Sequence, residues 1–112
     1  MEHERAAELL ARERARIENS LASLDADAAA DAADAGSERE RVDRAADLTR
    51  FETDEALARR LRGELEAVEA AEARLREGSY GMSVVSGDPI PDERLEAIPW
   101  ADRTVEEEQR RR

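Results

Sequence analysis

Residues 80 to 107 read YGMSVVSGDPIPDERLEAIPWADRTVEE, and the reading of this stretch decides the fold. Ser83 and Ser86 form an S-x-x-S pair, and Thr104 and Glu107 form a T-x-x-E pair downstream. Two such pairs flanking a turn-rich segment have the ligand spacing of a C-x2-C…C-x2-C zinc site. None of the four positions is a cysteine. Thiolates hold zinc because they are soft anions, whereas serine and threonine hydroxyls stay neutral at pH 7 and one glutamate does not replace four thiolates. The expectation is a module without metal, held by hydroxyl hydrogen bonds and by the packing of Tyr80, Val85, Ile90, Leu95, Ile98 and Trp100. Within it, Met82 to Val85 favours a short strand, and Ser86-Gly87-Asp88-Pro89 supplies turn chemistry. Asp92 can cap a short helix through Ala97 that Pro99 stops. Asp102 or Thr104 can start a last helix, acidic at its beginning and basic at its end, as a helix dipole favours.

Everything upstream reads as a stalk. From Glu2 to about Leu24, Leu10, Ile17 and Leu24 stand seven apart and Leu21 lies four after Ile17, one stripe of a helix. Asp25 to Ala35 is almost wholly aspartate and alanine, which permits helix but offers little to bury. Gly36-Ser37 is the clear breaker in the first 60 residues, and Ser37-x-x-Glu40 has the pattern of a capping box. A second helix is expected from there to Gly78, with Leu61, Val68 and Leu75 again every seven residues. Gly63 weakens it by about 1 kcal/mol relative to alanine without ending it. Folding back at Gly36 sets Leu24 opposite Leu48, Leu21 opposite Phe51 and Leu10 near Leu61, an antiparallel coiled-coil hairpin. In that register Val68 and Leu75 run past the first helix and need the C-terminal module. The hairpin tip, residues 25–47, carries Val42 as its only large apolar residue, so it is expected to be solvated and built to contact something else.

Composition narrows the function classes. The 112 residues leave room for one small domain and an extended element, with 42% of residues charged and three aromatics. A net charge of −11 repels phosphate backbones, so direct DNA binding is not expected. The absence of cysteine excludes disulfides and thiolate metal sites. The N-terminus, Met1-Glu2-His3-Glu4-Arg5, lacks the basic start and apolar run of a signal peptide, and no apolar run approaches the roughly 20 residues of a membrane helix. A cytoplasmic protein is expected.

The residues around the two pairs, Tyr80-Gly81, Gly87-Asp88-Pro89-Ile90-Pro91 and Arg94-Leu95-Glu96-Ala97-Ile98-Pro99, resemble the zinc-finger end of the DksA/TraR family of RNA polymerase-binding regulators. Family members carry an acidic D-x-x-D-x-A motif at a coiled-coil tip. Counting back from Ser83 without a gap, the matching positions are Glu40, Asp43 and Ala45, with Glu40 one methylene longer than the usual aspartate. The resemblance implies a mainly α fold: an antiparallel coiled-coil hairpin over residues 1–78, then a degenerate zinc-finger-like module and a C-terminal helix over residues 79–112. It also implies a transcription regulator, not an enzyme, that reaches through the secondary channel of RNA polymerase with the acidic tip and alters promoter-complex stability. Ser83, Ser86, Thr104 and Glu107 then stand at former zinc-ligand positions, and no cofactor is implied. Many members respond to ppGpp through basic residues near the finger. Arg60 and Arg94 fall where these are expected, but Ala67 and Glu108 stand where a lysine would engage phosphate, which argues against a ppGpp response.

Other signals are weak. His3 has no second ligand near it in the sequence. Asp27, Asp31 and Asp34 share a helical face, yet the segment fails the calcium-loop pattern at its third ligand and its glycine, so a solvated face is the simpler reading. A different class of protein, a coiled-coil scaffold whose helices pair between chains, predicts a dimer, whereas the hairpin predicts a monomer.

Overall fold

The computed structural model describes the backbone of residues 1–34 and 44–111, with side chains described for residues 1–30 and 49–111. Two long helices dominate it: α1, His3–Asp34, and α2, Arg44–Glu77. Both are rich in alanine, leucine, arginine and glutamate, good helix formers, and carry no proline. The aspartate–alanine stretch continues α1 ten residues past Leu24. A 32-residue helix spans about 48 Å, so the pair accounts for most of the molecule's 59 Å length.

The two helices run antiparallel along a shared apolar seam. Leu10 and Ile17 of α1 and Leu61, Val68 and Ala71 of α2 are buried together, with Leu21, Leu24, Leu65 and Leu75 packed against them. Fully burying a leucine or isoleucine contributes about 1.5–3 kcal/mol, which makes this seam the main source of cohesion. Exposed ion pairs contribute little energy, but they record the register. Arg14 reaches Glu69 and Glu72, and Arg16 reaches Glu64. The midpoints of these pairs fall at residues 40 to 43 rather than at Gly36.

That shift corrects the expected pairing. Leu10 and Ile17 share one cluster with Val68, and Leu75 packs against it, so these residues do not run past α1; Tyr80 and Trp100 of the module pack on the same cluster, as expected. Phe51, expected opposite Leu21, is 60% exposed. The physical reason is burial: sliding the seam by several residues sets the leucine-rich half of α1 against the leucine-rich half of α2. The Gly36 breaker, the Ser37–Glu40 capping pattern and Val42 lie outside the described residues.

Gly78 ends α2 in the left-handed region, φ 86°, where a side chain would be strained. The Ser79 and Tyr80 N–H groups then donate back to the Arg74 carbonyl, satisfying the open helix end. Beyond it come two short helices, α3, Asp92–Ala97, and α4, Val105–Arg111. Among the described residues no strand forms. Met82 to Val85 supplies one bridge, between Met82 and Pro89, because the chain turns immediately after Ser83. Asp92 does not cap α3; Pro91 occupies the cap and Asp92 is the first helical residue.

Ile90, Leu95 and Ala101 form the module's own small core, with Tyr80 and Ile98 against it, and Met1 packs onto the same cluster. Tyr80 and Trp100 also pack against the helix seam, and the Tyr80 hydroxyl donates to the Pro99 carbonyl at 2.8 Å. Val85, expected in this core, is 60% exposed, since the turn that buries Ser83 points Val85 outward. Arg5 of α1 holds both carboxylate oxygens of Glu96 of α3, at 3.1 and 2.9 Å. The start of α1 thus meets the module as well, through this pair and the packing of Met1.

Candidate functional site

The turn after Tyr80 is built to bury one hydroxyl. The Ser83 N–H donates to the Asp88 carbonyl and the Gly87 N–H to the Ser83 carbonyl, closing a loop whose Gly87 takes φ 80°. The Ser83 side chain points inside, 5% exposed. Its Oγ accepts from the N–H groups of Val85 and Ser86, at 3.1 and 3.3 Å. The hydroxyl in turn donates to Glu107 Oε1 at 2.7 Å. Ser86 Oγ accepts from the Asp88 N–H at 3.2 Å.

The opposing pair sits at the start of α4. The Thr104 N–H donates to Glu107 Oε1 at 2.9 Å, and the Glu107 N–H donates to Thr104 Oγ1 at 3.3 Å. This is a reciprocal capping box, which satisfies N–H groups that a helix start leaves open. The Val84 N–H, donating to the Asp102 carbonyl at 2.8 Å, laces the two halves together. The sequence thus brings Ser83, Ser86, Thr104 and Glu107 to one point, across 24 residues.

Glu107 is the hub, and its chemistry shows what the point can do. The Thr104 N–H foremost, then the Ser83 hydroxyl, with smaller help from the Ser86 and Thr104 hydroxyls, hold its carboxyl at about 2, below its ordinary 4.5. Carboxylate charge is therefore absorbed by hydrogen bonds from inside the module. The donor set does not fit zinc: three neutral hydroxyls and one carboxylate, with the Ser83 hydroxyl and Glu107 Oε1 already engaged with each other. Among the described residues no cluster of three or more histidine, cysteine, aspartate or glutamate side chains is arranged to hold a metal ion.

A second feature opens on the other side of α4. A cleft of about 400 Å³ is lined by Ala67, Arg94, Trp100, Asp102 and Glu108, among others. Three of the positions singled out for ppGpp, Ala67, Arg94 and Glu108, therefore share one cleft. Arg60 is apart from it on α2, with its Nε 3.7 Å from Glu64. Arg94 Nε is already donating to the Arg103 carbonyl at 2.9 Å. Arg103 pairs with Asp102 at 2.9 Å and stands 3.8 Å from Glu108, and its hydrogen bond pulls the Asp102 carboxyl below its ordinary range. Of the arginines that line the cleft, Arg111 stands 3.9 Å from Glu108, and Arg94 spends its Nε on a backbone carbonyl.

Of the expected tip residues, Glu40 and Asp43 lie outside the described residues, and Ala45 falls in the first turn of α2. Sequence reasoning missed Arg5 and Glu96. Nothing local marks them, because the ion pair joins positions 91 residues apart.

No family model matches the sequence. The architecture, two long paired helices followed by a small module and a terminal helix, is DksA-like in fold. It superimposes on the structure of transcription factor DksA2 from Pseudomonas aeruginosa with a TM-score of 0.75 and 27% sequence identity, covering 97% of this chain and 81% of that one. A 65-residue stretch, 58% of the chain, is 42% identical to general stress protein 16O of Bacillus subtilis. That stretch is 36% of the relative, so the chain spans about a third of its length. Among the described residues no helix is long and apolar enough to cross a membrane.

Proposed function

We propose that this protein is a regulator of transcription that binds RNA polymerase rather than DNA. The observation that carries the reading is the likeness of fold, over 97% of the chain, to a solved transcription factor. In this reading residues 1–78 are the reaching element and residues 79–112 the base that fixes its geometry. The helix pair enters the secondary channel of the enzyme. An acidic tip of Glu40, Asp43 and Ala45 acts there beside the catalytic centre, changing promoter-complex stability without catalysis by this chain.

Ser83, Ser86, Thr104 and Glu107 are former zinc-ligand positions whose hydrogen bonds take over the metal's structural role. The cleft at Ala67, Arg94 and Glu108, with an alanine and an acid where a lysine would engage phosphate, supports action without ppGpp. The protein works as a cytoplasmic monomer.

In vitro transcription with purified polymerase tests the tip. Asp43→Asn is expected to retain binding to core polymerase and to lose the effect on transcript yield. A yield that follows the wild type would remove the tip assignment.

A further inference from the structure

The chain has three aromatic side chains. Tyr80 and Trp100 are packed against the apolar clusters, and Phe51 is 60% exposed. Its position makes the exposure informative. Phe51 stands seven residues before Ala58, which is buried in the helix seam, so it occupies a seam position on α2. The last large apolar residue of α1 is Leu24, and from Asp25 to Asp34 that helix consists of aspartate and alanine. The opposing helix therefore offers no large side chain for Phe51 to pack on. A polar residue would serve there equally well for folding, and a lone aromatic on a solvated shaft answers to something outside the chain.

The surroundings say what that is. Residues 25–34 and 44–57 carry eight acids and two arginines. Asp54 and Glu55 stand three and four residues on from Phe51 along α2, and farther down the helix pair Asp25 and Asp27 of α1 are exposed. A second copy of this chain would bring the same negative collar against itself, and nucleic acid or an anionic lipid surface would be repelled in the same way. A protein surface with an apolar pocket rimmed by lysine and arginine is complementary in both respects.

We propose that Phe51 is an aromatic anchor by which the far half of the helix pair docks into a basic-rimmed pocket, and that the pocket belongs to RNA polymerase. The assignment rests on the polymerase reading above. Buried aromatics carry a disproportionate share of interface energy, and the acids around them govern encounter rate and salt response. Phe51 thus holds, and the collar steers.

Titration of immobilised core polymerase with the full chain, at low and high salt, tests this. Phe51→Ala is expected to raise Kd about tenfold or more, Phe51→Leu to recover most of the loss, and both to keep the wild-type urea midpoint. Glu55→Gln is expected to flatten the salt dependence. Wild-type binding that Phe51→Ala leaves intact overturns the anchor alone. A lowered urea midpoint in Phe51→Ala overturns it too, since the side chain would then be a packing residue. Absence of wild-type binding at either salt overturns the polymerase reading together with the anchor. A wild-type dimer that Phe51→Ala turns into a monomer in sedimentation assigns the face to a second copy instead.

Discussion

Glu107 accepts from the Thr104 N–H and the Ser83 hydroxyl on a single oxygen, so its charge is the point on which two separate pieces of chain agree. The pH consequence follows from its depressed carboxyl. A group whose folded pKa lies below its unfolded value contributes stability that is complete above the unfolded value and drains away as pH falls toward the folded one. Here the window runs from the ordinary 4.5 down to about 2. Acid titration followed by the fluorescence of Trp100, the single tryptophan, should show the module loosening across that window. In Glu107→Gln the module should be weaker at neutral pH and that part of the acid dependence should vanish. An acid profile identical in the variant would show that other carboxylates control the transition. The spacing of the four residues was legible in the sequence, and so was their convergence. Which of them would be the hub was not, because Thr104 and Glu107 reach each other only once the helix start is formed.

At the scale of elements, the helix pair shows how burial sets register. Heptad spacing identified both helices and most of the seam residues, Leu65 and Ala71 apart, since a seven-residue repeat keeps side chains on one stripe whatever the partner. Register was not legible, because two stripes of similar spacing can slide past each other, and the slide is settled by which halves carry leucine. Gly63 is a local flaw left in this arrangement. It lies inside α2, and a Cβ placed on it meets nothing within 4 Å. Gly63→Ala should therefore stabilise the protein by about 0.5–1 kcal/mol, measured as a higher urea midpoint at unchanged slope. A lower midpoint would mean that the seam needs the glycine.

The whole molecule, 59 by 30 by 20 Å, is an elongated body with its apolar clusters at one end. Its base is held by hydrogen bonds and packing, and the proposed reading of Ser83, Ser86, Thr104 and Glu107 needs no metal there. Two measurements follow: the melting temperature should be the same with and without a strong chelator, and elemental analysis should find no stoichiometric zinc. A zinc content near one per chain, lost together with stability on chelation, would overturn the metal-free base. Residue order alone determined the helical class, the breakpoints at Gly78 and Pro99, the absence of thiolate ligands and the spacing within each x-x pair, because these depend on local propensity and on the chemistry of single side chains. Only the tertiary structure decided the register, the Arg5–Glu96 tie, the outward turn of Val85 and the exposure of Phe51. Each of these depends on what a distant part of the chain brings opposite, and burial of the larger apolar surface makes that choice.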